Sequence, residues 1–136
     1  MQIIEIESSY KSPKVLFDPK QGIMKLEGKS ILVDVEEFYR PLFNWLDEFI
    51  ENPPCKSVQF TFDIEYFNLA STKRFMFILI KLKEIKEKDV EVDVAWAYAS
   101  NDKYSLEMGE DLSQMLDIPI AFVAYERVKE HSLKPD

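Results

Sequence analysis

SVQFTFDIEYFNLASTKRFMFILIKL, residues Ser57 to Leu82, changes its apolar period part-way along, and that change decides the fold. Val58, Phe60, Phe62, Ile64 and Tyr66 are apolar while Gln59, Thr61, Asp63 and Glu65 are polar. This is the alternation of a strand with one buried face. Further on, Phe75, Ile78, Leu79, Leu82 and Ile85 recur at three- and four-residue spacing, which lays them along one face of a helix. The backbone therefore switches from extended to helical between Phe67 and Lys73, and the spacing predicts a strand over 57–66 and a helix over 72–87. The joint is Asn68-Leu69-Ala70-Ser71-Thr72, in which Asn68, Ser71 and Thr72 can each accept a hydrogen bond from a free N–H at a helix start. The same N–H groups, at the positive end of the helix dipole, also receive anions such as a phosphoryl group. Helix capping and anion binding are both open at this joint.

Downstream, Val90, Val92, Val94, Trp96 and Tyr98 alternate with Glu91, Asp93, Ala95 and Ala97, which predicts a strand over 90–98. Strand, helix and strand make a βαβ unit, for which parallel pairing is strongly favoured, so the class is α/β. Upstream, short β-type runs cover 2–7, 14–18 and 23–26, and Pro19-Lys20-Gln21-Gly22 joins the last two as a hairpin turn. Asp34 stands three residues before Glu37 in the pattern of a capping box, where a stripe of Phe38, Leu42, Trp45, Leu46, Phe49 and Ile50 begins; Asn52-Pro53-Pro54 ends that helix. After Asn101-Asp102, the residues Tyr104, Met108, Leu112 and Met115 fall at helical spacing, Pro119 follows, and Ile120–Tyr125 reads as a last strand. The expected architecture is one compact domain over 1–136: a mixed sheet, made of an N-terminal hairpin and a parallel βαβ unit, packed with about three helices. Trp45, Phe49, Phe60, Phe62, Ile78, Leu79 and Leu82 are assigned to one core, and 126–136 to a frayed C-terminal tail.

A chain of 136 residues has room for one domain with a real core. Hydrophobic residues at 46% and charged residues at 31% fit a soluble globular protein. The longest apolar run, Phe75 to Ile80, is far short of the ~20 residues that span a bilayer. MQIIEIESSY has no basic stretch before an apolar one, so no signal peptide is read and a cytoplasmic location is expected. The single cysteine, Cys55, excludes an internal disulfide. A net charge of −8 repels phosphate backbones and anionic bilayers, so nucleic acid and membrane are not expected partners. Lys81 to Lys88 interleaves Glu84 and Glu87, and the i to i+4 pairs Glu84/Lys88 and Lys83/Glu87 describe a solvated helix face.

The search for catalytic constellations is negative. There is no GxSxG elbow, P-loop or GxGxxG, and the only histidine, His131, lies in the expected tail. Neither a cofactor nor a metal is expected on this reading. Asp102, Glu107, Glu110 and Asp111 form the one dense acidic group; carboxylates at such spacing can hold a hard cation, and a solvated face gives the same pattern. Gly109 among them costs a helix about 1 kcal/mol relative to alanine, which implies a neighbour packed close to that backbone.

Three stretches carry a family resemblance. EYFNLASTKRFMFIL, Glu65 to Leu79, resembles the YFNTSSSK-type segment of the SiaC-like regulatory phosphoproteins, which are related in shape to the anti-sigma-factor antagonists of STAS type. WAYASNDKYSLEMGEDL, Trp96 to Leu112, is similar to the family's W-Y-Y-x-x-D-D…E-x-G-E-D-F segment, and EFYRPLFNWLDEFI, Glu37 to Ile50, resembles its first helix. The resemblance implies a STAS-like fold and a non-enzymatic regulatory interaction module of bacterial signalling. Its implied partners are a cognate kinase, a phosphatase and a downstream signalling enzyme such as a diguanylate cyclase, in a partner-switching circuit whose unmodified form binds the output protein. In that family the acceptor of the phosphoryl group follows the Asn of the strand-to-helix turn. Asn68 matches that Asn, but Leu69 holds the acceptor position and Ala70 the next serine position. Ser71 and Thr72 match the following hydroxyl positions and become the phospho-acceptor candidates, loss of phospho-control being the other outcome. The SYPEN-like segment corresponds to SILVD, Ser30 to Asp34, which keeps the serine. Asn68, Leu69, Ala70, Ser71, Thr72 and Lys73 are the implied partner-binding loop and helix start. A reading from a different class is a small enzyme or divalent-cation-binding domain built on Glu107, Glu110 and Asp111.

Overall fold

Side chains one residue apart on a strand point to opposite faces, so an alternation of polar and apolar residues leaves one side of a sheet to water and buries the other. In the computed structural model, which describes residues 1–126, that is how the chain is used. Strands β1 (Ile4–Ile6), β2 (Lys14–Asp18) and β3 (Ile23–Ser30) lead to helix α1 (Val35–Glu51). Strand β4 (Ser57–Phe67), helix α2 (Leu69–Lys86) and strand β5 (Glu91–Ala99) follow, then helix α3 (Lys103–Leu116) and strand β6 (Ala121–Tyr125). Apart from Glu126, the stretch assigned to a frayed tail lies outside the described residues, and so does His131.

The strands form one sheet in the order β1-β2-β3-β4-β5-β6. β1, β2 and β3 pair antiparallel; β3, β4, β5 and β6 pair parallel, with Met24 beside Phe60 and Phe60 beside Val94. The mixed sheet, the N-terminal hairpin and the parallel βαβ unit are thus as read from the periodicity. Val58, Phe60, Phe62 and Ile64 of β4 are buried with Val15, Phe17, Met24 and Leu26, while Gln59 and Asp93 on the opposite face are exposed. Trp45, Leu46 and Phe49 of α1, Phe75, Ile78, Leu79 and Leu82 of α2, and Leu112 of α3 join the same apolar cluster. The helices therefore cover one face of the sheet. Gly22 closes the hairpin with φ 67°, and a Cβ there would sit 2.0 Å from the Ser57 carbonyl oxygen, so glycine is required on both counts.

Two expectations about this face are corrected. Between Gly28 and Lys29 the register against β4 shifts: Gly28 pairs with Ile64 but Lys29 with Tyr66, which leaves Glu65 as the extra residue of a bulge. The bulge turns Tyr66 outward, 56% exposed, and brings Phe67 inward against Phe75, Trp96 and Tyr104. In α3, the face against the sheet is Ser105, Gly109 and Leu112, whereas Tyr104 and Met115 are exposed. The neighbours implied by Gly109 are the rings of Trp96 and Phe122. The lysines of α2 also differ in use: Lys81 pairs with Asp47 of α1, and Lys83 donates to the Leu116 carbonyl at the end of α3 at 2.7 Å. Both lysines tie helices together. Among the described residues no helix is long and apolar enough to cross a membrane.

Candidate functional site at the start of helix α2

Asn68 caps α2 from an extended conformation, φ −95° and ψ 175°, and its Oδ1 accepts from the Ser71 N–H at 2.9 Å. The helix therefore begins at Leu69, three residues before the predicted Thr72, because of the three possible caps it is the first that is used. Asn68 is also held to the chain entering α1. Its N–H donates to the Ser30 carbonyl at 3.2 Å, and its Nδ2 to the Leu32 carbonyl at 3.4 Å.

The two hydroxyls of the turn point inward. Thr72 Oγ1 donates to the Asn68 carbonyl at 3.2 Å. Ser71 is fully buried, and its Oγ donates to the Ser30 carbonyl at 2.7 Å while lying 2.7 Å from Ser30 Oγ. Ser30 Oγ in turn lies 2.7 Å from the Tyr39 hydroxyl of α1. A serine hydroxyl has one proton, and that of Ser71 is committed to a carbonyl. Ser30 must then donate to Ser71, and Tyr39 to Ser30, so the proton order of the whole ladder is fixed. Burial pushes the Tyr39 hydroxyl above the usual tyrosine range.

The remaining residues of the turn face solvent. Leu69 is 80% exposed, and Ala70 and Lys73 are exposed beside it. These open onto a groove of about 720 Å³ between α2 and α3, lined by Leu69, Ala70, Thr72, Lys73 and Met76 on one side and by Met108, Asp111, Leu112 and Met115 on the other. Flexible, polarizable Met side chains suit a surface that must fit another protein. The six residues named from sequence thus divide into three that look outward, Leu69, Ala70 and Lys73, and three, Asn68, Ser71 and Thr72, that fix the turn. Sequence reasoning did not find the α3 wall of the groove, nor Ser30 and Tyr39 as the partners of Ser71. The signal available was the helical spacing of Met108, Leu112 and Met115, which in sequence looks the same for a groove wall as for a core stripe.

The acidic residues Glu107, Glu110 and Asp111 are exposed, and among the described residues no group of three or more His, Cys, Asp or Glu side chains is arranged to hold a metal ion. Asp102 instead caps α3, accepting from the Ser105 N–H at 3.0 Å. The cation-site alternative has no support in this geometry.

A model of the SiaC family of regulatory phosphoproteins matches residues 6–125, which takes in β4, the α2 turn and both walls of the groove. The chain belongs to the SiaC family. It is 21% identical over 126 residues to an uncharacterised protein of Pseudomonas aeruginosa strain UCBPP-PA14, covering 93% of this chain and 99% of that protein. The crystal structure of apo-SiaC from Pseudomonas aeruginosa superposes with a TM-score of 0.80 at 22% identity, over 91% of this chain and 100% of that one. SiaC in complex with the diguanylate cyclase SiaD, of which it is the activator, superposes at 0.81 with 21% identity, over 90% of this chain and 99% of SiaC. At these identities the structural likeness is one of fold, and the SiaC fold is the mixed six-stranded sheet with three helices described above.

Proposed function

We propose that this SiaC family member is a non-enzymatic regulatory module that docks onto a signalling enzyme through the first turn of α2 and the adjoining groove. The partner we favour is a diguanylate cyclase, by analogy with the cyclase that Pseudomonas SiaC activates. The observation that carries the reading is Leu69. Its side chain is 80% exposed at the head of a groove whose opposite wall carries Met115, 67% exposed, and a contiguous apolar patch of this kind, unlike one exposed leucine, marks a surface that meets a partner. This reading puts the protein in the cytoplasm, with the GTP that a diguanylate cyclase consumes.

The same geometry bears on control. The family's acceptor position is Leu69, which has no hydroxyl, and the hydroxyls that a kinase would have to use, Ser71 and Thr72, are both turned inward and hydrogen-bonded. We read the protein as constitutively able to dock, outside the kinase and phosphatase arms of a partner-switching circuit. Phosphate mapped to Ser71 or Thr72 in protein recovered from its own cells would overturn that part of the reading.

The direct test uses a purified diguanylate cyclase from the same genome, assayed for binding and for cyclic diguanylate synthesis with wild type and Leu69→Glu. A carboxylate at a helix start is favoured by the dipole, so stability should stay within about 0.5 kcal/mol of wild type. Burying that charge in an interface is costly, so binding should fall at least about tenfold. Equal binding by the variant would sink the proposal.

A further inference from the structure

Asn68 and Ser71 do not place the docking turn by themselves. The exposed residues Leu69 and Ala70 sit between two anchors, Asn68 and Ser71, and both anchors bond to the Ser30 carbonyl, at 3.2 and 2.7 Å. From there the ladder runs to Ser30 Oγ and on to Tyr39. It joins three elements that meet nowhere else through side-chain hydroxyls: the end of β3, the first turns of α1 and the start of α2. Resting on the docking reading above, we propose that Tyr39 and Ser30 are positioning residues for partner binding, acting through Ser71 to hold the first turn of α2 at a fixed height above the sheet.

The chemistry favours this over a purely stabilising role. Only one assignment of the three hydroxyl protons makes all three bonds at once, Ser71 to the Ser30 carbonyl, Ser30 to Ser71 and Tyr39 to Ser30, and no rung can be replaced by water because Ser30, Tyr39 and Ser71 are all fully buried. Tyr39 is the donor at the head of the ladder. Its removal leaves Ser30 Oγ without a donor but does not touch the cap that Asn68 places on the Ser71 N–H. Tyr39→Phe therefore loosens the turn while keeping the ring that packs against Phe75 and Phe43.

The test compares Tyr39→Phe and Ser71→Ala with a control, Phe49→Leu, which weakens the core near the other end of α1. Amide exchange at positions 71 and 72 should accelerate about tenfold in the two ladder variants, the equivalent of one net hydrogen bond, with α3 unchanged. Affinity for the cyclase of the same genome should fall by a comparable factor in both variants, at temperatures where all remain folded, and stay at the wild-type value in Phe49→Leu. Wild-type exchange at Ser71 and Thr72 in Tyr39→Phe, unchanged affinity beside a binding wild type, or an equal loss in Phe49→Leu would each overturn the inference. Wild type that binds no cyclase overturns the docking reading instead, and the exchange arm still decides whether the ladder holds the turn.

Discussion

Gly109 shows how one residue sets the distance between two layers. A Cβ there would lie 2.8 Å from Phe122 Cε1 and 3.0 Å from Trp96 Cδ2, so α3 rests directly on rings of the sheet. Glycine to alanine inside a helix ordinarily gains about 1 kcal/mol. At this position Gly109→Ala should instead lose about 1–3 kcal/mol in urea denaturation, because both rings must move; a stabilised variant would show that α3 slides outward freely. Tyr39 carries a second prediction at this scale. Its hydroxyl is held above the usual range by burial, so the fold favours the neutral form. That contribution is complete below the unfolded tyrosine pKa of about 10 and is lost as pH rises above it, by about 1.4 kcal/mol per unit until the folded pKa is reached. Denaturant midpoints followed from about pH 9 to about pH 11 should fall more steeply for wild type than for Tyr39→Phe. Gly109's close neighbour was legible because glycine is costly in a helix. The burial of Ser71 was not, because its partner Ser30 is 41 residues away and a serine near a helix start looks the same whether it caps or is buried.

Among the elements, β4 and α2 meet almost as their periods predict, and the two departures are set by contacts with β3 and the loop that follows it. Alternation continues through Tyr66 in the sequence, yet a bulge needs no special residue type on β4, so nothing in the pattern announces that Phe67 takes the inward place. The swap predicts an inversion of the naive expectation. Phe67→Ala should cost at least about 2 kcal/mol through lost contacts with Phe75 and Trp96. Tyr66→Ala should cost less than about 1 kcal/mol, as exposed positions do. Denaturation of the two variants side by side checks the order, and a costlier Tyr66→Ala would place the bulge elsewhere. The start of α2 was ambiguous for a different reason: Asn68, Ser71 and Thr72 are all competent caps, and only the loop at Ser30 to Leu32, brought in by tertiary structure, selects Asn68.

At the scale of the molecule, the α/β class and the parallel βαβ unit were legible because one buried face imposes period two on strands and three-to-four on helices. Leu79, fully buried in that shared core, is expected to cost about 2–5 kcal/mol as Leu79→Ala in denaturant melts. A loss below about 0.5 kcal/mol would detach α2 from the core. The groove was not legible, since its walls belong to helices whose approach is set by Gly109 and by Lys83 on the end of α3. The strand order has one more consequence, for the chain as it is made. Strands lie in the sheet in the sequence in which a ribosome delivers them, so no strand has to be inserted between two others. Each arrival completes a hairpin or a crossover against an edge that is already formed, which keeps loop closures short. The growing protein accordingly carries an unpaired growing edge besides that of β1, and the edges of β3, β4 and β5 wait in turn for α1, α2 and α3 to be synthesised before the next strand covers them. Those intervals are when a nascent chain is most open to pairing with another copy of itself.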